Sequence, residues 1–205
     1  MSIQYMIDRA TSISWNARPV VSQTIARNGL MRSVSRGNAT WTFTVTLPDG
    51  PKYSDYRNSL AEMERQGQGS EVSINFANTG YNYMFGYQGD LSIPGSYSVI
   101  GADVGDTSLT INGGSITGYK FKAGDIIQYN GHVYSVTQDV LGNSNTVNLH
   151  RPIIASDNPG GTVSIAIGAE QVQWRVKCVQ MPSYSLFGYD QLQWSGPMVL
   201  QEVID

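Results

Sequence analysis

The residues best able to do chemistry in this chain are two histidines and a few acids. His132 and His150 lie in segments that predict β-strands, and Asp125 and Asp139 are near them in the sequence. A catalytic zinc motif of the HExxH type places two histidines at i and i+4 on one helix face, and neither histidine has such a partner. We therefore expect both histidines on strand surfaces, and we expect no bound metal and no cofactor.

Candidate catalytic nucleophiles are scarce in the sequence as well. Cys178 occupies an inward position of an alternating strand, which predicts a small core residue, and a single cysteine excludes an internal disulfide framework. No serine lies in a G-x-S-x-G turn. The turn with Asp103 and Asp106 lacks the spaced oxygen ligands of a calcium loop and the lysine of a phosphate loop. We predict that the protein is not an enzyme.

Charge is sparse and uneven along the 205 residues. Only 14% of the residues are charged and the net charge is −3, although the first third of the chain carries a positive excess. A protein that binds nucleic acid usually has a dense basic patch and a high pI, and this chain has neither. We therefore expect no sequence-specific nucleic-acid binding. Arg27, Arg32 and Arg36 follow one another in a polar, glycine-broken segment that reads as a loop. They are candidate subunit-interface residues.

An irregular, aromatic segment over residues 77–97 is the second candidate surface. Tyr81 and Tyr83 are candidate subunit-interface residues. Together with Tyr87, they could also serve as stacking platforms for a sugar, because tyrosine supplies contact area at low entropic cost. A third interpretation is that these rings cover a core edge.

The elements that must position these residues are mainly β-strands. From Ala39 to Leu47, apolar residues alternate with threonines, which predicts an antiparallel strand with one buried face. Ser54 to Gln66 shows helical spacing of Tyr56, Leu60 and Met63, with Ser54 as the expected N-cap. No run of about 18 apolar residues predicts a membrane span, and we expect no secretory signal in residues 1–10, which lack a long apolar run.

The middle of the chain reads as an inserted unit. Asn130-Gly131 between two apolar runs is the strongest hairpin signal, because this pair suits a type I′ turn. Residues 98–168 are predicted to form a small β-barrel-like domain. Residues 1–97 and 169–205 are predicted to form the other domain, a β sandwich or barrel with one packed helix. Residues 197–205 are expected to add a last strand, through Val199 and Val203, at a sheet edge.

The order of short motifs resembles that of tail and baseplate proteins of tailed bacteriophages. A W-x-F-x-V-x-L-P strand, a helix around Leu60, a glycine turn at Gly67 and a strand through Ile74 and Phe76 follow in that order. In the middle segment a "GD" opens a strand and Arg151-Pro152 ends one. Further positions in the same order are Val99, Ala102, Gly105, Ser108, Leu109, Ala123, Gly124, Asp125, Val136, Asp139, Val140, Val147 and Leu149.

This resemblance covers most of residues 13–200 and implies a structural virion protein. It implies a tail-tube-like fold and a ring, often six-fold, that joins the tail tube to the distal tail or baseplate. The expected partners are copies of the chain and other tail proteins, and the expected location is the virion, after assembly in the host cytoplasm. The alternative interpretation is a carbohydrate-binding module of the virion used in host attachment.

Overall fold

The protein is mainly β, as predicted, with 45% of the described residues in strands and 12% in helices. The computed structural model describes residues 3–18, 21–35, 39–66, 69–81, 85–90, 96–112, 116–155, 163–167 and 172–204. The predicted glycine stop at Gly67 lies outside these residues.

The described helices are α1 (Ile3–Ile7) and α2 (Tyr53–Gln66). In chain order the strands are β1 (Ser12–Asn16), β2 (Val21–Ile25), β3 (Met31–Ser35), β4 (Thr42–Thr46), β5 (Glu71–Ile74), β6 (Ser96–Gly101), β7 (Ser108–Asn112), β8 (Tyr119–Phe121), β9 (Ile126–Tyr129), β10 (His132–Ser135), β11 (Val140–Leu141), β12 (Thr146–Asn148), β13 (Val163–Ile167), β14 (Trp174–Gln180), β15 (Ser183–Phe187), β16 (Gln191–Ser195) and β17 (Met198–Glu202).

The first sheet has five antiparallel strands in the order β1-β4-β17-β14-β5. The predicted alternation on β4 is confirmed, since Trp41, Phe43 and Val45 are buried while the threonines between them are not. Successive strand residues point to opposite faces, so one face of this sheet forms a core and the other stays polar. An aromatic cluster of Trp41, Phe43, Phe76, Phe85 and Trp174 fills the core face.

The expectation that the last strand lies at a sheet edge was wrong. β17 lies between β4 and β14, in the middle of the sheet. Met198 and Leu200 face the core, whereas Val199 faces the polar side. The apolar pair Met198 and Leu200 has the period of two that a buried strand face requires, and burial of these two side chains fixes the register.

Helix α2 packs on the same core through Tyr56, Leu60 and Met63, as predicted. Ser54 does not act as the N-cap. The helix begins at Tyr53, and the carboxylate of Asp190, in the turn after β15, accepts hydrogen bonds from the backbone N–H and hydroxyl of Ser54. A distant carboxylate therefore satisfies the first turn, where the helix dipole favours an anion.

The sequence analysis missed helix α1, which is a single turn. Met6 and Ile7 are fully buried, and the Tyr5 ring meets the Tyr56 ring of α2 edge-on with centroids 5.5 Å apart. A five-residue helix is too short to show a helical period, so tertiary packing rather than local propensity forms it.

The second sheet has six antiparallel strands in the order β10-β9-β13-β6-β7-β12, all from residues 96–167. The predicted Asn130-Gly131 hairpin is confirmed: both residues have positive φ, 48° and 77°, and they join β9 to β10. Ile126 and Val133 of this sheet belong to the core of the first. The division into residues 1–97 with 169–205 and an inserted unit 98–168 stays a prediction, because the cores meet.

One buried ion pair joins the two sheets. Arg151, just after β12, forms two hydrogen bonds of 2.6 Å to the carboxylate of Glu202 on β17, and both side chains are almost completely buried. The same guanidinium donates to the backbone carbonyls of Ala39 and Val133, at 2.6 and 2.7 Å. The indole N–H of Trp41 also donates to the Val133 carbonyl, at 3.0 Å.

We expect Arg151→Met to lower the free energy of unfolding by about 3–5 kcal/mol, because the substitution leaves the Glu202 carboxylate buried without its partner. The measurement is urea unfolding followed by tryptophan fluorescence. Arg151→Met/Glu202→Met should recover part of this loss, because no unpaired charge then remains buried.

The matched control is Arg175→Met. Arg175 pairs with Glu71 across β14 and β5, and both side chains are about one third exposed. An ion pair in contact with water contributes about 1 kcal/mol or less. Equal losses from the two single variants would contradict the importance of the Arg151–Glu202 pair.

Candidate interaction surface

Strands β2 and β3 form a hairpin that stands apart from both sheets. The two strands pair with each other from Val21–Ser35 to Ile25–Met31, and neither pairs with another described strand. Gly29, with φ of 79°, closes the turn, where the Ala26 N–H donates to the Leu30 carbonyl at 2.8 Å. A two-stranded hairpin alone in water is marginally stable, so this hairpin needs support from outside itself.

The tip of the hairpin exposes apolar side chains. Ile25 and Met31 are register partners on one face of the hairpin and are 68% and 62% exposed. Leu30 and Val34 lie on the other face by alternation and are 60% and 64% exposed. None of the four belongs to either hydrophobic core. Several exposed apolar side chains on one short hairpin indicate an interaction surface, whereas scattered single ones are ordinary. We call Ile25, Leu30 and Met31 the apolar tip.

Two of the three candidate arginines lie on this hairpin. Arg27 is in the turn and Arg32 is in β3, and both are exposed. The segment predicted as a polar loop is therefore a β-hairpin with an apolar tip, which corrects the sequence interpretation. Neither arginine has an ion-pair partner among the residues that the structure describes. Arg36 lies outside the described residues.

The candidate tyrosines lie elsewhere, and two of the three rings belong to the fold. Tyr81 is half-buried, packs against the first core and donates its hydroxyl hydrogen bond to the Thr11 carbonyl. Tyr87 packs against the second core and donates to the Lys120 carbonyl. Tyr83 lies outside the described residues. The structure brings Tyr81 into no contact with the arginine-bearing hairpin that it describes.

The prediction of a strand-surface position was wrong for His132, and His150 is half-buried just after β12. His132 is buried. The Nδ1 atom of His150 accepts a hydrogen bond of 3.0 Å from the backbone N–H of Ser135, and its Nε2 atom is buried. Burial and the neighbouring Arg151 guanidinium lower the pKa of His150 to about 4. This histidine is therefore neutral at pH 7 and lies beside the ion pair that joins the sheets.

The candidate acids Asp125 and Asp139 stabilise turns by accepting hydrogen bonds from backbone N–H groups. Asp125 is buried and accepts hydrogen bonds from the backbone N–H groups of Gln88 and Lys122, at 2.8 and 2.7 Å, while burial raises its pKa. Asp139 accepts from the Ala123 N–H at 2.9 Å, and this bond, with the Lys122 ammonium, lowers its pKa.

The acidic turn and the cysteine also have structural contacts. The Asp106 N–H donates to the Asp103 carbonyl within their turn, at 3.1 Å. Cys178 is buried in the first core, as predicted, and burial raises the pKa of its thiol. Within the described ranges, no three His, Cys, Asp or Glu side chains are grouped closely enough to hold a metal ion.

An apolar groove opens beside the C-terminal half of α2. It has a volume of about 420 Å³ and is lined by Leu60, Met63, Glu64, Met181, Pro182, Ser183 and Tyr184. The Tyr184 hydroxyl hydrogen-bonds the Glu64 carboxylate, and burial and this bond raise the tyrosine pKa. The lining contains one acid and no base. Sequence reasoning missed this groove, because its two walls are distant in the chain.

Comparison with known proteins assigns no family. No protein-family model matches the chain, and no curated protein sequence is significantly similar to it. Among the residues described here, none of the helices combines the length and the apolar character needed to cross a bilayer.

We predict that charge reversal at Arg27 and Arg32 impairs self-association and leaves folding intact. Both side chains are exposed and unpaired, so Arg27→Glu/Arg32→Glu should change the free energy of unfolding by less than about 0.5 kcal/mol. Denaturant unfolding and sedimentation measure the two effects separately. A variant that unfolds early as a monomer would contradict this prediction.

We also predict a loss of stability in mild acid. The folded-state pKa of His150 lies below its ordinary value of about 6.5, so the stabilisation is complete above pH 6.5 and is lost as the pH falls towards 4. The loss should reach about 3 kcal/mol.

His150→Asn is the control, because an amide oxygen can accept the Ser135 N–H bond without titrating. Denaturant unfolding at pH 7, 6, 5 and 4 should give a flatter profile for this variant. Identical slopes for the two proteins would show that His150 does not cause the loss.

Proposed function

We propose that this protein is a structural component of a bacteriophage tail or baseplate. Its copies assemble into a ring, which we take to be hexameric, that joins the tail tube to the distal tail or baseplate. The partners are copies of the chain and other tail proteins, the site of action is the virion, and the protein catalyses no reaction. The order of motifs in the sequence supports this proposal.

The single observation that carries the proposal is the separate hairpin with its apolar tip. An exposed strand edge and exposed apolar side chains favour pairing with another chain, and natural monomers usually protect such features. Ile25, Leu30 and Met31 are each more than half exposed, and their hairpin joins neither sheet. In a ring, identical neighbouring subunits would cover the strand edge and apolar side chains that the fold of one subunit leaves exposed.

The polar face of the five-stranded sheet supports repeated contacts as well. On that face Ser14 lies opposite Thr44, Thr44 lies opposite Val199, and Gln201 lies opposite Lys177. These side chains are exposed or half-buried and mostly uncharged. Uncharged polar groups suit hydrated protein contacts, where bridging waters supply many of the hydrogen bonds.

The test is the state of assembly of the purified protein. We expect light scattering to show a mass that rises to one closed oligomer with concentration, and negative-stain electron microscopy to show rings of identical subunits. A protein that stays monomeric at all concentrations, also with its tail neighbours present, would overturn the proposal. Glycan binding by such a monomer would establish the carbohydrate-binding alternative.

A further inference from the structure

We infer that the apolar tip of one copy docks into the α2 groove of the next copy. The inference rests on the proposed ring and specifies its subunit contact. The tip offers Ile25, Leu30 and Met31, and the groove offers apolar walls that include Leu60 and Met181. The groove has a volume of about 420 Å³, which is within the range of about 300–1,000 Å³ typical of clefts that bury a ligand.

Complementary charge favours the hairpin of a second copy as the occupant of the α2 groove. Residues 21–35 contain two arginines and no acid. The groove carries the exposed Glu64 carboxylate and no basic residue. An arginine beside the apolar tip can therefore reach a carboxylate at the groove rim while the tip enters. Complementary charges at a contact set its orientation and exclude like-charged partners.

The contact is between copies and not within one chain. No described hairpin residue lines the groove. A hairpin on one subunit and a groove on the next make a head-to-tail contact, in which each copy uses two different surfaces. Such contacts repeat around an axis and close into a ring when the rotation between neighbours divides a full turn.

The contact residues of the hairpin are exposed, so they can be substituted without disturbing the folded cores. Leu30 and Met31 lie outside both cores, so Leu30→Asp/Met31→Asp disables the hairpin without opening a cavity. Glu64→Lys/Tyr184→Ala disables the groove at its exposed rim and leaves the buried Leu60 and Met63 in place.

The experiment mixes these two disabled proteins. Alone, each variant should be monomeric by light scattering. Mixed in equal amounts, they should form a one-to-one dimer with twice the mass of the chain, because the groove variant supplies an intact hairpin and the hairpin variant supplies an intact groove. The dimer cannot grow, since its two free surfaces are both disabled.

Matched controls show that the effect is local. Val104→Asp changes an apolar side chain that is 63% exposed in the turn between β6 and β7. Asn58→Lys adds a positive charge on the exposed face of α2, outside the groove. Both variants should assemble like the unchanged protein. A charge exchange, Arg32→Glu with Glu64→Lys, should restore part of the assembly that either substitution removes.

The outcomes separate this inference from the proposed ring. Rings that persist in the groove variant would overturn the docking contact and leave the ring proposal standing. An unchanged protein that never assembles would overturn both. Binding of the hairpin to anionic phospholipid vesicles, lost in Leu30→Asp/Met31→Asp without any self-association, would assign the tip to a membrane surface and overturn the inference.

Discussion

The buried bond between Arg151 and Glu202 fixes how the two large sheets of this protein meet. Removing two charges from water is costly, and the cost is offset only when hydrogen bonds satisfy the remaining donors and acceptors. Here the carbonyls of Ala39 and Val133 accept from the guanidinium Nη atoms, and the Glu202 carboxylate also accepts from the backbone N–H of Trp41. Of the nitrogens of this guanidinium, only the buried Nε has no hydrogen-bond partner among the described residues. Partners from four separate segments define one arrangement of the sheets, which a purely apolar contact would specify less strictly.

The packed body that this pair holds together gives meaning to the β2–β3 hairpin, which pairs with neither large sheet. Strands β2 and β3 contribute to neither core, yet they carry three apolar side chains that are exposed at the tip. The free energy that orders such a hairpin must come from a contact with something else. A groove with apolar walls and a single glutamate, on the side of helix α2, matches the tip in chemistry.

Sequence patterns predicted the features that depend on near neighbours. The alternation from Trp41 to Leu47 and the Asn130-Gly131 turn are set by local periods and backbone angles, and both are present. The Arg151–Glu202 pair was beyond such reasoning, because it joins positions far apart in the chain and because arginine is rarely buried. Arg27 and Arg32 were identified as candidates. Their strands were not, because neither hairpin face is buried and no alternation marks it.

Hydrogen–deuterium exchange of dilute and concentrated protein tests most directly whether this hairpin is completed by another copy. The account predicts that backbone amides in residues 21–35 exchange quickly in the dilute monomer and become protected on assembly. Amides of residues 198–202, in the centre of the first sheet, should be protected in both states. Exchange in residues 21–35 that is the same in the assembled and the dilute protein would contradict the account.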